Sequence, residues 1–141
     1  MKGLDIMLSI RSTQTDPDGN VTRSENTQPA VLYETPEGYR IEYTLLDEDG
    51  DQRLQQMELS ESRALIRSFP FTENTSICLV PGQEKRCAYE TSFGTLFPVT
   101  RTASIRIRSI NKNIHAKLEY ELCMDDYVTS FIILIKAERQ V

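Results

Sequence analysis

The sequence has few of the residues from which enzyme and metal sites are usually built. Its 141 residues include no tryptophan, one histidine and three cysteines, and its six glycines stand singly along the chain. Cys78, Cys87 and Cys123 form no Cys-x-x-Cys pair and are odd in number, so neither a disulfide framework nor a zinc site is expected. Isolated glycines cannot form the glycine-rich phosphate loops of nucleotide-binding proteins.

The single histidine also limits catalytic chemistry. A Ser-His-Asp or Cys-His arrangement would have to use His115. This residue shares the polar face of an alternating segment with Lys117 and Glu119, where a solvated side chain is expected. The acidic Asp-Gly turns do not place oxygen ligands at EF-hand spacing. We therefore predict no catalytic residue, no metal site, no cofactor and no enzymatic activity.

Long hydrophobic runs are absent as well. The longest apolar run extends from Phe131 to Ile135, whereas a membrane-spanning helix needs about 20 residues. The first residues lack the apolar stretch of a signal peptide. The net charge is −5, and this acidic balance argues against a dedicated nucleic-acid binder. We expect a single cytoplasmic domain over residues 1–141 that has no membrane partner and for which nucleic acid is an unlikely partner.

What the sequence does contain is alternation of apolar and polar residues. Residues 39–45, 105–108 and 114–122 alternate throughout, and Ile6, Leu8 and Ile10 follow the same rule. Alternation with a period of two is typical of antiparallel strands that have one buried and one solvated face. The run from Phe131 to Ile135 is apolar on both faces, so we expect a loop, a small helix or another subunit to cover its outer side.

Turn signals, among them Asn111-Lys112-Asn113, separate these segments at intervals of roughly 8 to 15 residues, as in sandwiches and barrels. Closing the sheet removes both exposed edges, which favours the barrel. The predicted fold is therefore all-β, a closed antiparallel up-and-down barrel of about 8–10 strands. Residues 59–67 fit a short helix capped by Ser60. Residues 64–69 fit a strand instead, and the surrounding strands favour this second alternative.

A resemblance supports the barrel. The segment from Tyr89 to Leu96 contains a Tyr-x-Thr-x-aromatic-Gly turn, and it leads into a threonine-bearing strand and then into the strand at 114–122. This succession resembles the YwiB-like family of uncharacterised bacterial proteins, most closely over residues 85–137. The resemblance implies a calycin-like closed barrel, related in shape to lipocalins. It implies no chemistry, because the family has no established activity.

Four residues are candidates for a ligand site inside the barrel. Arg101 shares parity with Ile105 and therefore points inward if the strand is regular, whereas a bulge would place it outside. Tyr43, Tyr89 and Tyr120 also have apolar-face parity. Together these side chains would form a polar end in an apolar cavity, suited to a small, partly apolar or anionic ligand. The first function hypothesis is therefore a small-ligand-binding barrel.

Charge is unevenly distributed along the chain. Residues 34–61 hold nine acids and two bases, whereas residues 97–120 hold five bases and one acid. Part of the second segment forms a candidate surface patch, made of Arg106, Arg108, Lys112 and Lys117. The patch is either an ordinary solvated face or a site for an anionic partner, such as RNA or the acidic surface of a second subunit. RNA is the weaker alternative, because no aromatic side chain accompanies the patch.

The second function hypothesis is a structural or interaction module that acts as a homodimer. Such a dimer would use either the doubly apolar run from Phe131 to Ile135 or the strands that carry the basic residues.

Overall fold

The computed structural model describes residues 3–46, 50–68, 75–91 and 94–140, and every regular element in these ranges is a β-strand. The twelve strands are β1 (Leu4–Thr15), β2 (Val21–Glu34), β3 (Tyr39–Leu46), β4 (Gln52–Leu59), β5 (Ala64–Ser68), β6 (Thr75–Leu79), β7 (Glu84–Arg86), β8 (Ala88–Thr91), β9 (Gly94–Leu96), β10 (Val99–Ile110), β11 (Asn113–Met124) and β12 (Tyr127–Arg139). No helix in the described ranges has the length and apolar character needed to span a membrane.

All twelve strands belong to one sheet, in the order β7-β10-β11-β12-β1-β2-β3-β4-β5-β6-β8-β9. Every paired neighbour is antiparallel, and most connections are hairpins between consecutive strands. The run from β10 to β6 forms the wall of a nearly closed barrel, and the short strands β7, β8 and β9 extend its edges. This confirms the predicted all-β antiparallel barrel.

The two edges of the wall, β6 and β10, are joined by one chain segment and by a few individual bonds. β7 pairs with β10 and β8 pairs with β6, so residues 84–91 connect the two edges. Thr100 Oγ1 donates a hydrogen bond of 2.7 Å to the carbonyl oxygen of Cys78. The amide of Gly82 donates one of 2.8 Å to the carbonyl oxygen of Thr102. Closure at this seam therefore depends on side chains and turns more than on a continuous ladder.

The core lies inside the barrel and follows the predicted alternation. Ile6 and Leu8 of β1, Ile41 of β3, and Leu118 of β11 face inward and are at most 1% exposed. Burying an aliphatic side chain of this size contributes about 1.5–3 kcal/mol, so these strands are held mainly by their shared inner face. The alternating segments of the sequence are the strands that supply this core.

Residues 64–68 form a strand, as the sequence favoured. β5 pairs with β4 and β6 from Ala64 onward. Ser60 closes the preceding turn and does not cap a helix: its Oγ accepts a hydrogen bond of 3.1 Å from the amide of Arg63. Phe69, the last residue of the predicted strand, lies outside the described residues.

The hairpin between β10 and β11 has a two-residue turn. Ile110 pairs with Asn113, and the residues between them, Asn111 and Lys112, have φ values of 50° and 68°. Two positive φ values match the right-handed twist of the strands that a tight hairpin joins. The predicted turn is thus present, and it places Lys112 at the end of the barrel.

The strand with two apolar faces is β12. Its inward residues include Phe131, Ile133 and Ile135, which belong to the core or pack against it. On the outer face, Ile132 and Leu134 are 42% and 43% exposed. The sequence led us to expect a loop, a small helix or another subunit over this face. No loop or helix in the described part of the chain covers these two side chains. Homodimerisation through this strand stays a prediction.

Candidate anion-binding groove

Outward side chains from β10, β11, β12, β1 and β2 stand in register across the barrel wall. Two cross-strand rows are formed, each with one residue from each of the five strands. The Arg106 row consists of Arg106, Lys117, Leu134, Arg11 and Glu25, and the Arg108 row consists of Arg108, His115, Lys136, Ser9 and Thr27. Neighbouring strands lie about 4.8 Å apart and alternate residues about 7 Å apart, so the cations of the two rows are close neighbours.

All residues of the two rows except Thr27 line an open groove on the outer face. Its volume is about 790 Å³, and Glu61 and Glu138 also contribute to its walls. Leu134 is the large apolar side chain within the rows and is 43% exposed. The groove therefore combines several cations with an apolar centre and a few carboxylates at its margins.

Some of the cations are already paired with carboxylates. Arg11 Nε lies 3.3 Å from Glu25 Oε1 along its row. Lys117 Nζ lies 3.1 Å from Glu119, and Lys136 Nζ lies 2.6 Å from Glu138, in each case along the same strand. These are exposed pairs, each of which contributes at most about 1 kcal/mol. The acids lower the net charge of the groove on the β12 and β1 side.

Arg106 and Arg108 differ from these cations. Within the described residues neither arginine forms an ion pair, although both are exposed. Arg106 stands opposite Lys117, and Arg108 stands opposite His115. Like charges in directly opposed cross-strand positions, such as those of Arg106 and Lys117, destabilise a sheet. The β10 side of the groove therefore holds positive charge that the described part of the chain does not neutralise.

The structure corrects the prediction for Arg101. β10 has an irregular register between Thr102 and Ser104, so Ala103 is an extra residue that inverts the parity of the strand. Thr100 and Thr102 consequently face the core, and Arg101 lies on the outer face with its Nε 3.4 Å from Glu121. The expectation that Arg101 points into the barrel was wrong because it required a strand without a bulge.

The predicted tyrosines have different outcomes. Tyr43 and Tyr120 face inward and are 6% and 7% exposed. Burial raises the pKa of Tyr43 to about 12 and also raises the pKa of Tyr120. Tyr120 stacks on Phe131 with ring centroids 5.0 Å apart. The backbone of Tyr89 lies in β8, but its side chain is outside the described part of the molecule. A ligand-binding role for these residues stays a prediction.

The predicted basic patch is assembled in part. Arg106, Arg108 and Lys117 line the groove. Lys112 occupies the β10–β11 turn, where its carbonyl oxygen accepts a hydrogen bond of 3.0 Å from Nε of Arg139. Arg11 and Lys136 were not predicted as site residues, and they complete the rows from β1 and β12. The β11–β12 hairpin places Lys136 opposite His115, whereas Arg11 is distant in sequence and reaches the groove because β1 pairs with β12.

Comparison with known proteins places the chain in a family. A family model described as a domain of unknown function, DUF1934, matches residues 8–134. The chain belongs to this family. A solved structure, the crystal structure of ywiB protein from Bacillus subtilis, matches with a TM-score of 0.84 and 20% identity, over 99% of this chain and 94% of that chain. No curated protein matches.

These matches confirm the resemblance to the YwiB-like family, whereas the calycin-like relationship stays a prediction. At 20% identity the structural likeness to ywiB protein shows the barrel fold alone. The DUF1934 description assigns no activity. Any function of this DUF1934 domain must therefore be argued from its own surface.

Proposed function

We propose that this protein is a binding module that takes an anionic partner in the groove formed by the Arg106 and Arg108 rows. The observation that carries the proposal is the position of Arg106 and Arg108. Both arginines lie beside other basic groups and without a carboxylate partner in the described residues. A bound anion would neutralise this charge and compensate for the cost of placing like charges together.

The geometry favours an anion that has several charges close together. Arg106, Arg108 and Lys117 lie on two adjacent strands, within about 7 Å of one another along and across the sheet. Two or more negative charges at this spacing can contact these side chains, whether they are carried by one compact group or by alternate residues of an extended segment. A long polyanion that crossed the whole groove would also meet Glu25 and Glu138, so the groove suits nucleic acid poorly.

Titration calorimetry with tripolyphosphate tests the proposal. The wild-type protein is compared with the double variant Arg106→Gln/Arg108→Gln and with a control, Arg101→Gln/Arg63→Gln. The control removes the same charge from arginines that pair with Glu121 and Glu58 outside the groove. We expect the first variant to bind at least about tenfold more weakly and the control to bind within about twofold of wild type. Equal losses in both variants would refute a specific site.

A ligand inside the barrel is a second candidate function, and one observation favours it. Thr102 is 5% exposed and faces inward, and its Oγ1 has no hydrogen-bond partner among the described residues. It stands opposite Tyr120, one of the predicted site residues. A buried hydroxyl without a partner has an energetic cost that a polar ligand atom would remove.

Mass spectrometry tests this second candidate. The mass of protein purified under native conditions is measured first in the native state and then after denaturation. A small molecule released in stoichiometric amount from wild type, and in lower amount from Tyr120→Phe, would support the candidate. Identical native and denatured masses would count against it.

A further inference from the structure

The second half of β10 is an exposed edge of the sheet. β7 covers this edge only at residues 99–101, and Pro81 forms an isolated bridge with Thr102. From Ser104 to Ile110 the strand pairs with β11 on one side, and no strand in the described ranges pairs with it on the other. This seven-residue edge is about 20 Å long. Its amide and carbonyl groups that point away from β11 can form hydrogen bonds with another strand.

The side chains along this edge would favour a particular partner sequence. Arg106 and Arg108 point to the outer face, where they border the groove. Ile105 and Ile107 point to the inner face, the first buried and the second half-buried against the core. A strand added here would place alternate residues beside the arginines and the intervening residues beside the isoleucines.

We propose that the anionic partner is an extended acidic segment of another protein, which pairs with residues 104–110 of β10 as an additional strand. Its main chain bonds the free edge, its outward carboxylates pair with Arg106 and Arg108, and its inward apolar side chains contact Ile105 and Ile107. Strand addition of this kind combines main-chain hydrogen bonds for affinity with side-chain alternation for specificity. The proposal rests on the proposed function, since it names the partner of the same arginines.

Charge at this edge has another known use. Natural sheets often carry charged residues on edge strands to prevent self-association. If that were the whole role of Arg106 and Arg108, removing them would make the protein associate with itself, and no acidic segment would bind to the wild type. The two interpretations therefore predict different results with the same variants.

The test uses a fluorescent seven-residue peptide of alternating glutamate and valine, with fluorescence anisotropy as the readout. Two matched peptides carry N-methyl groups on alternate residues. In the first peptide the methyl groups block one hydrogen-bonding edge of the extended chain, and in the second they block the opposite edge. We expect the unmodified peptide to bind, and methylation of one edge to weaken binding at least about tenfold while methylation of the other changes it less than about twofold. An analogue with glutamine in place of glutamate should also bind at least about tenfold more weakly.

The outcomes separate this proposal from the proposed function. If both methylated peptides bind like the parent while tripolyphosphate still requires Arg106 and Arg108, the added strand is refuted and the anion site stands. If neither tripolyphosphate nor the peptide binds, both proposals fail. If the Arg106→Gln/Arg108→Gln variant self-associates in light scattering and the wild type binds no peptide, the arginines protect the edge and the added strand is refuted.

Discussion

Arg106 and Lys117 lie directly opposite each other on neighbouring antiparallel strands, with both side chains on the exposed outer face. Lys117 has a carboxylate neighbour in Glu119, at 3.1 Å, whereas Arg106 forms no ion pair in the described residues. Opposed like charges reduce the stability of the sheet. An anion bound at the proposed site would offset this cost to folding.

The first prediction concerns that cost. Arg106→Gln should raise the free energy of unfolding by about 0.5 kcal/mol at low salt, because it removes repulsion between opposed cations. The gain should shrink at high salt, where exposed charges are screened. Urea unfolding at both salt concentrations measures the effect. The control Arg101→Gln removes an attractive contact with Glu121 and should give no gain; a similar gain in both variants would contradict the explanation.

Two threonines on the inner face of β10 make a matched pair for a second prediction. Thr100 Oγ1 donates a 2.7 Å hydrogen bond to the Cys78 carbonyl across the seam, whereas Thr102 Oγ1 has no partner in the part of the chain that the structure describes. Thr100→Val should therefore lower the free energy of unfolding by about 1–3 kcal/mol. Thr102→Val should leave it unchanged or raise it, because an unpaired buried hydroxyl is removed. If chemical denaturation gave equal losses of unfolding free energy for the two variants, the hydrogen bond from Thr100 to Cys78 would make no specific contribution to stability.

A third prediction separates the two faces of the barrel wall. Leu118 is fully buried in the core, and Leu134 is 43% exposed on the outer face. Leu118→Ala should destabilise the protein by about 2–5 kcal/mol, since it removes buried methyl groups and leaves a cavity. Leu134→Ala should change stability by less than about 1 kcal/mol. If thermal unfolding showed a large loss for Leu134→Ala, a second subunit covering this face would be the explanation.

The fourth prediction concerns stability at alkaline pH. Burial raises the pKa of Tyr43 to about 12, whereas tyrosine in an unfolded chain ionises near pH 10. Above about pH 10 the unfolded state therefore binds fewer protons than the folded state, and stability should decrease as pH rises toward 12. Tyr43→Phe should make this decrease shallower in denaturation series across that range. Tyr127→Phe, at a residue that is 56% exposed, serves as the control and should keep the wild-type slope.

Much of the fold could be predicted because alternation reports local geometry directly. Residues 39–45 and 114–122 show one apolar and one polar face in the sequence, and they are strands whose apolar side forms the core. The turn at Asn111 and Lys112 was likewise visible from local residue types. In each case a short stretch of sequence determines the local structure.

The site was predictable only in part, because it depends on register and on long-range pairing. A single extra residue at Ala103 inverts the parity of β10 and moves Arg101 from the core to the surface. Arg11 reaches the groove because β1 pairs with β12, which nothing local in the sequence indicates. Lys136 is placed opposite His115 by the β11–β12 hairpin. The charged strand carrying Arg106 and Arg108 was identified, but not the rows of neighbours that complete the groove.

The most direct test of the central claim is a titration of ¹⁵N-labelled protein with tripolyphosphate, followed by amide chemical shifts. We expect chemical-shift changes that saturate and are concentrated on residues 104–108 and 115–119, and that disappear in Arg106→Gln/Arg108→Gln. Shifts spread evenly over every basic residue, or an unchanged titration in that variant, would contradict an anion site in this groove.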